Sequence, residues 1–430
     1  MTLTPVRGLY GRVDLPSDKS IAHRALLLAA LGNGISHVVG FPKSADPQST
    51  LACVRQLGIQ VDEEADGTLV VHGKGMHGFS QPSGRLDCGN SGTTMRLLAG
   101  ILAGQGVGAT LIGDGSLSAR PMRRIIEPLV QMGADIAWAD GGTAPLRLAP
   151  GRSLTGITYE LPVASAQVKS CVLLAGLYAE GETTVVEPVP TRDHTERMLG
   201  VSAVELGTAR HLTVQGGTRL GVRTWRVPRD FSAAAFLLVA GSIVPEGEIR
   251  LPQVGLNPTR AALLDVLRAM GAAIAVEGER EVGGEPIADL VVRPAPLTGV
   301  RVDGATVANL IDEVPVLAVA MACAEGSSEV RGARELRFKE TDRIEAVASN
   351  LRAMGVDVET FEDGFRIEGR GGTDGLPLRG APQQAWHDHR IAMAAGVASL
   401  VAEGETTLDD PDVAAVSFPH FWRTLAALRT

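Results

Sequence analysis

Aromatic residues are scarce in this 430-residue chain, which has nine Phe, four Trp and three Tyr against fifty-one Gly. Its turns must be many and its packing must rely on small side chains. Excess positive charge is also missing. Forty Lys and Arg face forty-nine Asp and Glu, a net charge of −9, and a duplex or single strand is held by clustered cations. Nucleic acid is therefore a poor candidate partner. Only four cysteines occur, at Cys53, Cys88, Cys171 and Cys323, in neither zinc-site spacing nor a disulfide framework. They read as buried free thiols in a reducing cytosol. The N-terminus lacks the basic-then-apolar pattern of a signal peptide. The most apolar segments, 233–244 and 314–324, fall short of the ~20 residues that span a bilayer. A cytoplasmic protein is expected, monomeric by default because nothing suggests a dedicated interface.

What is present is ample apolar matter, 45% hydrophobic with 21% charged, which excludes a disordered or fibrous chain. The length allows two or three domains at roughly 150 residues each. Repetition organises it. Six times an Ala-rich apolar run meets a glycine and then a strand-like stretch, as in LLAGLYAEGETTVV and GVASLVAEGETTL. The marking glycines are Gly34, Gly106, Gly181, Gly247, Gly326 and Gly404. Five units continue through a helical pattern to a second glycine, at Gly58, Gly133, Gly200, Gly271 and Gly355. Each unit reads helix, glycine turn, strand, helix, glycine turn, strands, with glycine as the left-handed cap. This α/β period is too long for common solenoids and fits two halves of three units each.

Helix starts in these units gather donors and cations. PSDKSIAHR (16–24) offers Ser17 or Asp18 as cap, with Lys19 at the helix start and Ser20 and Arg24 on one face. DCGNSGTTMR (87–96) forms a plausible backbone nest, where Gly92 lets a ligand approach the main chain without a Cβ. It is neither GxGxxG nor a Walker loop, which argues against nucleotide binding. GDGSLSARPMRR (113–124) places three arginines in five residues around Pro121, which should begin a helix. SAQVKS (165–170) and TRDH (191–194) follow, then KETDR (339–343) and HDHR (387–390). On a helix, Lys339 and Arg343 would stand one turn apart, an unfavourable pairing unless an anion lies between them. Each segment alone also fits an ordinary capped helix or a solvated basic turn. Together they suit ligands carrying phosphate or carboxylate.

As a set, DKSIAHR, LDCGNSGTTMRLLAGILAG, GDGSLSARPMRR, SAQVKS, TRDHTERML, FKETDR and DHRIAMA resemble the 5-enolpyruvylshikimate-3-phosphate (EPSP) synthase family, from about residue 8 to about 422. The resemblance implies a two-lobed inverse α/β barrel-like fold with six βαβαββ-type repeats. One lobe would be residues 16–229 and the other residues 1–15 with 230–430, with the active site in the cleft between them. It implies enolpyruvyl transfer from phosphoenolpyruvate to the 5-hydroxyl of shikimate 3-phosphate, by addition and elimination through a non-covalent tetrahedral intermediate. The place in metabolism would be the shikimate pathway to chorismate and the aromatic amino acids.

By motif match, Lys19, Ser20, Arg24, Ser165, Ala166, Gln167, Arg192, Asp312 and Lys339 should hold shikimate 3-phosphate. Lys19, Gly92, Arg120, Gln167, Arg343 and Arg390 should hold phosphoenolpyruvate. Asp312 matches the family's proton acceptor and Glu340 its proton donor, with Lys19 assisting and His389 in support. Without the resemblance, Asp312 would be read as an N-cap and Glu340 as an intrahelical partner of Arg343. No cofactor and no metal are implied. Departures are Val416, where many relatives carry Lys, Glu335 where some place Asn, and Ala166 where some have Ser. Gly92 stands where Ala accompanies glyphosate tolerance in some relatives, so sensitivity is expected. The rivals are the related UDP-N-acetylglucosamine enolpyruvyl transferase, whose Cys-bearing loop has no counterpart in 113–124, and a non-catalytic anion-binding relative.

Overall fold

The six apolar runs all form helices, and their composition explains why they are buried. In the computed structural model, which describes residues 1–150, 153–371 and 376–429, they span α1 (Lys19–Leu31), α2 (Gly92–Ala103), α3 (Ala166–Gly176), α4 (Phe231–Ile243), α5 (Val314–Ala322) and α6 (His389–Ser399). Every residue of α1 from Ile21 to Leu31 is buried, as is every residue of α5. A helix apolar on all sides belongs inside a domain rather than at its surface. Five of the six starts are closed by a side chain. Asp18, Ser91, Ser165, Asp230 and Asp388 accept backbone N–H bonds from the first turn.

The glycine reading divides. The second glycines, at 58, 133, 200, 271 and 355, all have φ between 71° and 100°. They end the intervening helices Ala45–Gln56, Arg123–Gln131, His194–Leu199, Ala262–Ala269 and Arg343–Ala353 as left-handed caps. The marking glycines do not cap α1–α6. Gly34, Gly247 and Gly326, all with positive φ, lie at the second position of the following strands, and Gly106 has no positive φ.

Five four-stranded sheets share one topology. In one, Leu86–Asp87 runs parallel to Ala109–Ile112, which pairs antiparallel with Thr143–Leu148, and Ile136–Ala139 closes the order antiparallel. The sixth unit is split into a two-stranded sheet and a three-stranded one that recruits Thr2–Leu3 from the N-terminus. Every sheet is open, and none among the described residues closes into a barrel.

The chain separates into two compact units. One comprises Ser17–Val227 with Val282–Glu285, and the other Met1–Pro16, Pro228–Glu281 and Pro286–Thr430. Each has its own large hydrophobic core. α1–α3 carry the interior of the first and α4–α6 that of the second. Cys53, Cys88 and Cys171 are buried and Cys323 is half-buried, all unpaired. Burial pushes the Cys171 and Cys323 thiols up to about 12, so they remain protonated and unreactive at neutral pH. No helix among the described residues is long and apolar enough to cross a membrane.

Candidate active site

In the 17–227 unit the predicted residues cluster at helix starts. Lys19 opens α1, and its ammonium lies 2.9 Å from Asp46. Arg24, only 5% exposed, sits one turn deeper. Its Nε donates to Thr195 at 2.6 Å, Nη1 to the Ser20 carbonyl at 2.8 Å and Nη2 to Ser170 at 2.9 Å. All three acceptors are neutral. Burial lowers its affinity for a proton to a pKa of about 10, with Glu196 and Asp18 opposing the shift. Arg24 is thus a positive charge without a bonded counter-ion among the described residues.

Gly92 is the first residue of α2, and a Cβ there would lie 2.6 Å from Arg96 Nη1 and 3.6 Å from Arg120 Nη1. The glycine therefore admits two guanidinium groups beside a helix N-terminus. Arg96 donates to the side-chain oxygen of Gln167, whose amide donates to Thr93 at 2.9 Å. Arg120 ends a short helix, Gly115–Ala119, and donates to the Asn90 side chain at 2.6 Å. Pro121 does not begin a helix. The next one starts at Arg123, because Met122 takes the N-cap position and the X–Pro step keeps Arg120 extended. Ser165 caps α3, Ala166 and Gln167 form its first turn, and Arg192 lies half-buried in the loop before His194–Leu199.

In the other unit the predicted residues meet one another directly. Asp312 lies between the helix Gly304–Leu310 and α5. Its Oδ1 is 3.4 Å from Arg343 Nη1 and 3.5 Å from Lys339 Nζ, and its Oδ2 is 3.9 Å from Arg390 Nη2. It does not cap α5, since Glu313 occupies that position. The helical placement of Lys339 was also wrong. Lys339 follows the 3-10 turn Arg334–Phe338, and the next helix begins at Arg343 because Asp342 caps it. The two cations still approach the same point, and the anion between them is the Asp312 carboxylate. Glu340, likewise outside the helix, pairs with Arg343 at 2.7 Å. Arg343 is 1% exposed and is further held by Asp388 at 2.8 Å. Burial alone would destabilise its charge, but Asp388 and Glu340 reverse this and hold the guanidinium protonated. His389 is buried at the first position of α6, next to Arg390.

Several contributors escaped the sequence reading. Arg96 was visible as the cation one turn after Gly92, on the same face. Asp388 was visible as an Asp before a helix start. Arg260 and Glu313, a buried pair 53 residues apart, gave no local signal. Val416 ends the 3-10 turn Asp412–Val416, half-buried. No group of three or more His, Cys, Asp or Glu among the described residues could hold a metal ion. The arrangement can bind several anionic groups and can offer a carboxylate on each side of a cation pair.

A family model, EPSP synthase (3-phosphoshikimate 1-carboxyvinyltransferase), matches residues 3–425. The chain belongs to the EPSP synthase family. It is 56% identical over 427 residues to the 3-phosphoshikimate 1-carboxyvinyltransferase of Salinibacter ruber, covering 99% of this chain and 98% of that one. The solved EPSP synthase of Acinetobacter baumannii superposes with a TM-score of 0.88 at 42% identity, over 100% of this chain and 98% of that one. The enolpyruvyl transferase NikO of Streptomyces tendae follows at a TM-score of 0.76 and 20% identity, over 99% and 96% of the two chains, a likeness of fold alone.

Proposed function

We propose that the chain is an enzyme transferring the enolpyruvyl group of phosphoenolpyruvate to the 5-hydroxyl of shikimate 3-phosphate, with release of phosphate. Family membership supports the reaction, and the observation that carries its mechanism is Asp312 set against Lys339 and Arg343, with Glu340 on the far side of that arginine. In this reading Asp312 takes the 5-hydroxyl proton while the oxygen attacks C2 of phosphoenolpyruvate. Glu340 delivers a proton to C3, so the methylene becomes a methyl group in the tetrahedral intermediate. Loss of a C3 proton then expels phosphate and restores the double bond.

Arg343 links binding to this step. An anion arriving at Arg343 competes with Glu340 for the guanidinium and favours the protonated carboxyl that must donate. Arg390, with Arg343, Arg120, Lys19, Gly92 and Gln167, would hold phosphoenolpyruvate. Arg24, Ser20, Ser165, Ala166, Gln167, Arg192, Lys19 and Lys339 would hold shikimate 3-phosphate beside Asp312. Both substrates are multiply anionic, and preorganised cations offset their repulsion and the charge that develops in the transition state. The medium would be the cytosol and the enzyme a monomer. Purified protein should release phosphate only when both substrates are present, and should do so with chelator added. Release with UDP-N-acetylglucosamine in place of shikimate 3-phosphate would overturn the assignment.

A further inference from the structure

Immediately after Asp312 stands a second carboxylate that the reaction does not use. Glu313 has no exposed surface, and its side chain is surrounded by donors. Arg260 grips it through both guanidinium ends, with Nη2 2.7 Å from Oε1. Ser232 donates to Oε1, and Arg390 Nη1 approaches the same oxygen at 3.1 Å. Burial by itself would raise the proton affinity of Glu313, but Arg260 and Arg390 outweigh it and keep the carboxylate ionised.

The consequence falls on Arg390. Its Nη1 is committed to three acceptors: Ser232 Oγ at 2.6 Å, the Asp312 carbonyl at 2.9 Å and Glu313 Oε1. No hydrogen bond within the described residues ends on its Nε or Nη2, although Asp312 Oδ2 stands 3.9 Å from Nη2. A guanidinium pinned at one nitrogen presents its opposite edge, Nε with Nη2, in a fixed plane, and that edge is the fork that takes a carboxylate or phosphate in two parallel bonds. Arg390 is otherwise a long side chain with several rotamers to lose on binding.

We propose that Glu313, locked in place by Arg260 and Ser232, is a positioning residue that aims the Nε–Nη2 edge of Arg390 at an anionic group of the substrate. The inference rests on Arg390 being a phosphoenolpyruvate contact. Because Ser232 starts α4, Glu313 starts α5 and Arg390 lies in the first turn of α6, the device ties the three helix starts of this unit to one ligand contact.

The test uses the double variant Arg260→Met/Glu313→Leu, since a buried ion pair replaced by apolar side chains of similar size commonly leaves a fold intact. Thermal unfolding confirms folding, and steady-state kinetics are read for each substrate. A merely structural pair would shift both substrates together or neither. The expected result is a KM for phosphoenolpyruvate raised roughly 10- to 100-fold, as for a misaligned binding group, with the KM for shikimate 3-phosphate little changed. Glu313→Gln, which keeps shape but weakens the grip on Arg390, should move the same constant in the same direction and decides alone if the double variant does not fold. Arg390→Gln is the reference. An unchanged phosphoenolpyruvate KM in the Glu313 variants beside a raised one in Arg390→Gln would overturn the positioning role while sparing Arg390. An unchanged KM in Arg390→Gln as well would overturn both.

Discussion

Arg24 and Arg343 are both buried arginines at helix starts in an acidic protein, yet they are held in opposite ways. Among the described residues Arg24 donates only to hydroxyls and a carbonyl, and its charge is left without a bonded counter-ion. Arg343 is enclosed by Asp388, Glu340 and Asp312. In the proposed reaction the first arrangement keeps a positive charge available to an incoming dianion, at a cost in stability. The second gives up net charge to fix the orientation of carboxylates, two of which the proposed reaction uses to move protons. Binding and chemistry thus place different demands on the same residue type.

The largest effect should come from removing the carboxylate at the centre of the second arrangement. Asp312→Ala should lower kcat by at least ~1,000-fold, within the range of acid–base contributions, while thermal unfolding stays near wild type. Wild-type-like turnover would remove Asp312 from the mechanism. Next comes the arginine pair itself. Arg343→Met strands Asp388 without its cation and should cost about 3–5 kcal/mol in urea unfolding. Arg24→Met removes a cation to which no carboxylate among the described residues is bonded, so its stability should match or exceed wild type. Its KM for shikimate 3-phosphate should still rise by roughly 10- to 100-fold, the loss of a charge-assisted bond. Equal destabilisation by the two variants would erase the contrast.

A third prediction concerns His23, one residue before Arg24. Burial depresses it from an ordinary 6.5 to about 3, with Lys19 and Arg24 adding to the effect and Asp46 and Asp18 opposing it. Its Nδ1 bonds Thr50 at 2.6 Å, and Thr50 continues to Thr94 at 2.7 Å, tying α1 to α2. The native imidazole stays neutral where the unfolded one is protonated. The stabilisation is therefore complete above pH ~6.5 and is lost as pH falls toward ~3, at up to ~1.4 kcal/mol per pH unit. His23→Gln should flatten the acid limb of urea stability between pH 6 and 4, and an unchanged slope would count against a neutral His23. The smallest effect belongs to Gly92→Ala. Its methyl would displace Arg96, raising the phosphoenolpyruvate KM by several-fold and weakening the inhibition by glyphosate expected of the wild type, whereas unaltered values for both would show that the guanidinium adapts.

The sequence made the repeats legible because their signals are local: an apolar run, a capping Asp or Ser, a glycine that must turn left-handed. The cations and donors at helix starts were legible for the same reason. What stayed hidden is long-range charge pairing. Asp388 reaches Arg343 across 45 residues, and no pattern near either residue announces it. The helical reading of Lys339 failed on a local competitor, since Asp342 is the cap and the helix starts at Arg343, four residues later. The marking glycines misled in a similar way, because a left-handed residue serves a strand entrance as well as a helix end.

Protonation of the phosphoenolpyruvate methylene, from the Glu340 side of Arg343, is the step on which the account turns. Turnover in deuterated water tests it most directly, with the product analysed by mass spectrometry. A transient methyl group predicts deuterium in the product methylene, and Glu340→Gln should form almost no product. Product formed at the wild-type rate with no deuterium at that carbon would contradict addition followed by elimination.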